Sequence, residues 1–208
     1  MIKRLIILVS ILLSLGNALT FPVDIDKCVK IGKTIVITGW FSEVRFYGQH
    51  KALDIPLPEG SPIYAPELCQ VRTVWSEDAK YDSKFNSWRS GYGNFVYIDV
   101  YEVTETALGK VKTLKYSYFI AHMKIPNVVK GQIVSEGEII GYVGSTGVVN
   151  SAGQPMKASH IHFERRAPNG EKLNCTTEFG KLVKKYFNST DKYAFYMNNG
   201  NVVESKNN

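Results

Sequence analysis

The chain has 208 residues, with 25 Lys and Arg against 19 Asp and Glu, and a formal charge of +6. Its 44% hydrophobic and 12% aromatic content is ordinary for a globular protein with a sizeable core. Nothing in it resembles a nucleic-acid-binding module, and beyond the first 18 residues no stretch is apolar over the roughly 20 positions needed to cross a bilayer.

Taken in chain order, Lys3 and Arg4 precede the apolar run Leu5 to Leu15, and Gly16-Asn17-Ala18 supplies small residues where a signal peptidase requires them. Residues 1–18 therefore read as a secretory signal cut after Ala18. The mature chain is expected outside the cell or in the periplasm, with no stable membrane insertion. It reads as one domain over residues 19–195 followed by a flexible tail, 196–208. Loss of Lys3 and Arg4 leaves a charge of about +4, which favours anionic surfaces.

Thr34 to Thr38, Gln70 to Trp75, Asn94 to Tyr101 and Lys112 to His122 are rich in β-branched and aromatic residues with period-two alternation, and predict strands. Pro- and Gly-bearing punctuation such as Pro56-Leu57-Pro58-Glu59-Gly60 separates them. Gly60, Gly131 and Gly137 each precede a short apolar run, a weak internal echo that predicts tight turns between short strands. The fold class is thus mainly β, a compact antiparallel sheet structure. The exception is Phe179, Leu182, Val183, Tyr186 and Phe187, spaced as one face of an amphipathic helix over about 177–187, with Thr176 or Thr177 as N-cap. The segments Ser76 to Tyr92 and Val148 to Ser159 are long and irregular, and read as rims of a substrate groove.

Cys28, Cys69 and Cys175 would reach an oxidising compartment, where one disulfide and one leftover thiol are expected and three pairings are open. A cysteine zinc ligand is the alternative, but no Cys-x-x-Cys spacing is present.

All four histidines sit at positions useful to a metal hydrolase: His50 in His-x-x-x-Asp with Asp54, His122 after an alternating run, and His160 with His162 in His-x-His. On a strand His160 and His162 face one side while Ile161 and Phe163 face the core. His50 and Asp54 share a face, and Pro56 argues for extended backbone before it. Imidazole nitrogen and carboxylate oxygen suit Zn²⁺, and a catalytic zinc site takes three protein ligands and leaves one position open. Two further histidines remain for proton transfer and oxyanion stabilisation.

The order of these motifs carries a resemblance. Gly48-Gln49-His50-Lys51-Ala52-Leu53-Asp54-Ile55, Gly60 to Pro66, Tyr92-Gly93-Asn94, Ala121-His122-Met123, Gly141 to Gly147 and His160-Ile161-His162-Phe163-Glu164 together resemble the LytM/lysostaphin-type zinc endopeptidases, peptidase family M23. The match runs from about Trp40 to Thr177. The resemblance implies a β-sheet metallopeptidase domain with a groove across the metal, and zinc held by His50, Asp54 and His162. It also implies His122 and His160 as catalytic histidines, and the peptide part of bacterial peptidoglycan as substrate. The protein is expected to be a monomer. A non-catalytic LytM-like domain that binds peptidoglycan or activates another wall hydrolase is the alternative.

The chain departs from the family pattern in three places. Ala52 replaces a common glycine, a change that matters if positive φ is required there. The stretch from Gly147 to His160 is longer than the usual short turn. Cys175 stands where proline is common, which suggests a local disulfide. Tyr47, near His50, and Tyr118, near His122, are candidate oxyanion donors, with ordinary β-sheet aromatics as the alternative.

Overall fold

Period-two alternation builds the centre of the molecule. Val96, Ile98 and Val100 turn inwards with almost no exposure, while Phe95 and Tyr97, which alternate with them, face the other side. The computed structural model describes residues 19–45, 48–76, 91–150, 152–190, 193–197 and 202–204. The expected signal peptide, Tyr47 and most of the Ser76 to Tyr92 loop lie outside the described residues.

The strands in chain order are β1 (Lys30–Ile31), β2 (Thr34–Ile37), β3 (Glu43–Arg45), β4 (Gly48–His50), β5 (Leu53–Pro56), β6 (Pro62–Tyr64), β7 (Cys69–Trp75) and β8 (Asn94–Thr106). They continue as β9 (Gly109–Pro126), β10 (Ile133–Val134), β11 (Ile139–Val143), β12 (His160–Arg166) and β13 (Lys172–Leu173), then helix α1 (Thr176–Tyr186), β14 (Tyr193–Met197) and β15 (Val202–Glu204). The main sheet runs β10-β7-β8-β9-β11-β6, with β12 joining β9, β5 and β13, and all of these pairings are antiparallel. The mainly β fold expected from the alternation is the fold observed. The echoing glycines sit in turns, with φ of +83° at Gly60, +86° at Gly131 and +77° at Gly137, conformations that a Cβ disfavours.

Strand β9 is the hinge of the architecture. Ser117 to Ala121 pair with β12, and Met123 to Pro126 pair with β11, so the strand changes partner at His122. Opposite, Asn94 pairs with Met123 but Val96 pairs with Ile120, leaving one extra residue on β9. This is a β-bulge, and His122 takes the left-handed φ of +60° within it.

Helix α1 packs Phe179 edge-on against Phe163 at 4.9 Å and Phe21 at 5.7 Å. Its start differs from expectation. Cys175 is the N-cap and makes no side-chain cap bond, while Asn174 Oδ1 accepts the Thr176 N–H at 2.9 Å. The Asn174 side chain thus does the work assigned to a threonine, one turn edge earlier. The apolar face is also narrower than the periodicity implies, since Tyr186 is half exposed and its hydroxyl donates to Asp26 Oδ2.

Two expectations are corrected. The C-terminal segment does not begin a tail at residue 196: β14 pairs in parallel with β2 and antiparallel with β15, and Phe195 is fully buried near Phe21. Pairing with an interior strand stabilises residues whose composition alone suggests solvent. No disulfide forms either; Cys28, Cys69 and Cys175 are all free and buried, at the end of a 3-10 turn, the start of β7 and the start of α1 respectively. Burial pushes each thiol up to about 12.

Candidate metal centre

Strand β12 carries His160, His162 and Glu164 on one face and buries Ile161 and Phe163 on the other, as strand alternation dictates. Asp54 lies directly opposite His162 in the β5–β12 register. His50 ends β4, and a bend at Lys51-Ala52 separates it from β5, so the two residues of the His-x-x-x-Asp motif come from different strands. Ala52 is buried without positive φ, so the departure from glycine there costs no backbone strain.

Three ligand-type atoms converge. His162 Nδ1 lies 2.9 Å from Asp54 Oδ1, His50 Nε2 lies 3.1 Å from Asp54 Oδ2, and the two imidazole nitrogens are 3.4 Å apart. One donor atom each from His50, Asp54 and His162 falls within a 4.8 Å group, and all three residues are buried. Ligands on a tetrahedral zinc with bonds of about 2.0–2.1 Å sit about 3.3 Å apart, so the donor set fits that ion.

The rest of each ring is tied down. His50 Nδ1 donates to Trp40 O at 3.2 Å, and His162 Nε2 donates to Glu164 Oε1 at 3.0 Å. Each bond fixes the tautomer and turns the other nitrogen inwards, as metal-ligating histidines require. His122 Nδ1 donates to Thr146 O at 2.8 Å and His160 Nδ1 to Ala158 O at 2.7 Å, so both leave Nε2 as an open acceptor. Their rings are 4.7 Å apart, and the His122 ring is 5.5 Å from that of His162.

The electrostatics favour a positive charge at the convergence point. Burial pushes the Asp54 carboxyl up, but hydrogen bonds from His162 and His50 outweigh it and hold the group well below the usual carboxylate range. Burial also depresses His162, yet Asp54 and Glu164 on either side raise it above an ordinary imidazole. Burial and the neighbouring imidazoles push His122 down to about 3, and burial lowers His160 against the pull of Asp54. These last two rings are neutral at pH 7.

All five residues singled out in the sequence, His50, Asp54, His122, His160 and His162, line one groove of 470 Å³. Val148, Val149 and Asn150 from the long irregular loop form part of its wall. Tyr118 does not belong to it: its hydroxyl donates to Glu67 on the opposite face at 2.7 Å, because the bulge reverses the side of the strand between Tyr118 and His122. Tyr47 lies outside the described residues.

Several residues that shape the site carried no assignment from sequence. Glu164 is fully buried, and besides His162 it accepts from Lys172 at 2.7 Å and Arg166 at 2.5 Å. Its place in the alternation with His160 and His162 was the available signal. Tyr92 packs its ring 5.5 Å from that of His162, and Arg45 Nη2 donates to Asp54 Oδ2 at 3.0 Å. Gly39 backs Asp54 so closely that an added Cβ would overlap the carboxylate and the Arg45 guanidinium.

The sequence model of peptidase family M23 matches residues 48–175, which span every groove-lining histidine. No curated protein matches the chain. Among solved structures, a zinc-containing peptidase from Vibrio cholerae superposes with a TM-score of 0.52 at 21% identity, over 76% of this chain and 39% of that one. The chain thus spans about two fifths of the length of that peptidase, and the likeness is one of fold. Csd3 from Helicobacter pylori gives a TM-score of 0.49 at 22% identity over 85% of this chain and 40% of the other. Lysostaphin from Staphylococcus simulans gives 0.49 at 19% identity, over 71% and 49%.

Proposed function

The chain belongs to peptidase family M23, and from that premise we propose that it is an exported zinc endopeptidase that hydrolyses stem peptides or peptide cross-links of bacterial peptidoglycan. The observation that carries the reading is the convergence of His50 Nε2, Asp54 and His162 Nδ1 in a groove that also presents two neutral imidazoles. The zinc-containing peptidase from Vibrio cholerae, whose fold the chain shares, points the same way.

In this reading His50, Asp54 and His162 hold the metal, and Trp40 O and Glu164 orient the two imidazoles. Zinc, when bound, supplies Lewis acidity towards a carbonyl and towards water. His122 and His160 are the catalytic residues. With Nδ1–H anchored on a backbone carbonyl, each directs a basic Nε2 into the groove, fit to take a proton from the attacking water and return it to the leaving amine. The depressed basicity of both rings keeps them in the proton-accepting form at neutral pH. Tyr92 and the loop residues Val148 and Val149 wall the groove against bulk solvent.

Export rests on the N-terminal pattern, and among the described residues no helix is long and apolar enough to cross a membrane. The chain acts as a monomer, without nucleic acid. A non-catalytic LytM-like role fits less well, since all five ligand and acid–base positions are kept. The test is digestion of purified peptidoglycan by the zinc-loaded protein, with mass spectrometry of the released muropeptides. New peptide termini that disappear on chelation are expected; stoichiometric zinc without any cleavage would favour the binding role.

A further inference from the structure

We propose that the groove carries a cationic subsite, centred on Lys51, for a free carboxylate borne by the peptide beside the scissile bond. The proposal rests on the endopeptidase reading and selects one of the cross-link classes that reading leaves open.

Arg45, Lys51 and Lys172 line the groove, and among its described lining residues Asp54 is the sole carboxylate. Asp54 is committed to the histidine cluster and to Arg45. The acids that neutralise two of the cations stand behind the groove wall: Glu43 Oε2 accepts from Arg45 Nη2 at 2.7 Å, and Glu164 Oε1 accepts from Lys172 Nζ at 2.7 Å. Lys51 is different. It is exposed and has no ion-pair partner among the described residues, and it follows His50 directly, so its position is tied to the metal cluster.

A groove whose unneutralised charge has one sign concentrates anions, and an ammonium adds charge-assisted hydrogen bonds to a carboxylate that reaches it. A glycine bridge offers that ammonium only neutral amides. A cross-link whose scissile amide nitrogen sits on a carbon that also bears a free carboxylate offers a full negative charge next to the reacting bond. The charge on the wall therefore matches a D-alanyl cross-link to a diamino dicarboxylic acid, whose second amine shares its carbon with a carboxylate, not a polyglycine bridge.

The test uses three synthetic peptides with the zinc-loaded protein: the D-alanyl cross-link to a diamino dicarboxylic acid as free acid, the same peptide with that carboxylate as carboxamide, and pentaglycine. The free acid should exceed the carboxamide in kcat/KM about tenfold, the worth of one charge-assisted hydrogen bond, with the difference in KM. Lys51→Ala should erase that ratio with zinc content unchanged, and Lys51→Arg should restore it. Equal rates for acid and carboxamide, a ratio that survives Lys51→Ala, or preferential cleavage of pentaglycine would each overturn the subsite alone. Cleavage of none of the peptides, nor of whole peptidoglycan, would overturn the endopeptidase reading and the subsite with it.

Discussion

Glu164 Oε1 accepts the Nε2–H of His162 at 3.0 Å, on the far side of the ring from Asp54, so one imidazole bridges two carboxylates. Burial pushes the Glu164 carboxyl up, but the His162 and Lys172 bonds outweigh it and hold the group at about 2. A permanently ionised acceptor behind the ring makes His162 Nδ1 a stronger donor to a cation.

Glu164→Ala should accordingly weaken zinc binding about 10- to 100-fold, the range typical of lost partners behind a ligand. Competition with a chromophoric chelator measures it. Wild-type zinc affinity in the variant would remove Glu164 from the metal centre.

Single alanine substitutions should separate the two roles in the groove. His50→Ala, Asp54→Ala and His162→Ala should lose zinc and peptidase activity together. His122→Ala and His160→Ala should keep zinc while turnover falls about 10²- to 10⁴-fold, the span of general acid–base catalysis. Metal analysis beside a muropeptide assay reads both, and full turnover in either of the last two contradicts the assignment.

Gly39→Ala should lower the melting temperature and the zinc content at once, because its Cβ would meet the Asp54 carboxylate and Arg45. The Asp54 N–H donates to Gly39 O at 2.9 Å, an isolated bridge between β5 and the segment after β2, so the two segments cannot simply part to make room. A folded variant with full zinc loading would show that the backing of Asp54 is slack.

Alkali should unfold the protein through the tyrosines at Glu67. Burial and the Glu67 carboxylate push Tyr116 up to about 12 and Tyr118 up in the same direction. The folded state then holds protons that the unfolded chain has released above about pH 10, so stability is intact below that pH and falls as pH rises towards 12. The slope is about 1.4 kcal/mol per pH unit for each tyrosine. Urea unfolding between pH 8 and 12 follows it, and the slope should shrink in Tyr116→Phe; an unchanged slope would place the sensitivity elsewhere.

Thiol titration tests the free cysteines. The native protein should react slowly with Ellman's reagent, since burial raises all three thiols to about 12. Denaturation without reductant should release three thiols, and a yield of one would restore a disulfide.

Much of the architecture is legible in the chain. The strand cores at Gln70 to Trp75 and Asn94 to Tyr101 follow from alternation, and the His160/His162 pair shares a face because strand geometry leaves no other option. The Asn174 cap and the β14–β15 pair were hidden, the first because Thr176 is an equally good capping residue by type, the second because a short polar-flanked segment gains its order from β2. The disulfide expectation failed because compartment and cysteine count say nothing of distance.

The sequence by itself determined the donor types, their order and the common face of His160 and His162, since residue chemistry and the two-residue period are local properties. Only the tertiary structure decided that His122 joins them. Simple alternation would put it on the same side as Tyr118 and Ile120, in the core. One extra residue opposite Asn94 to Val96, with a left-handed turn at His122, sends the imidazole across the sheet to the groove. A bulge depends on how two strands far apart in sequence share their hydrogen bonds, and no local pattern records that.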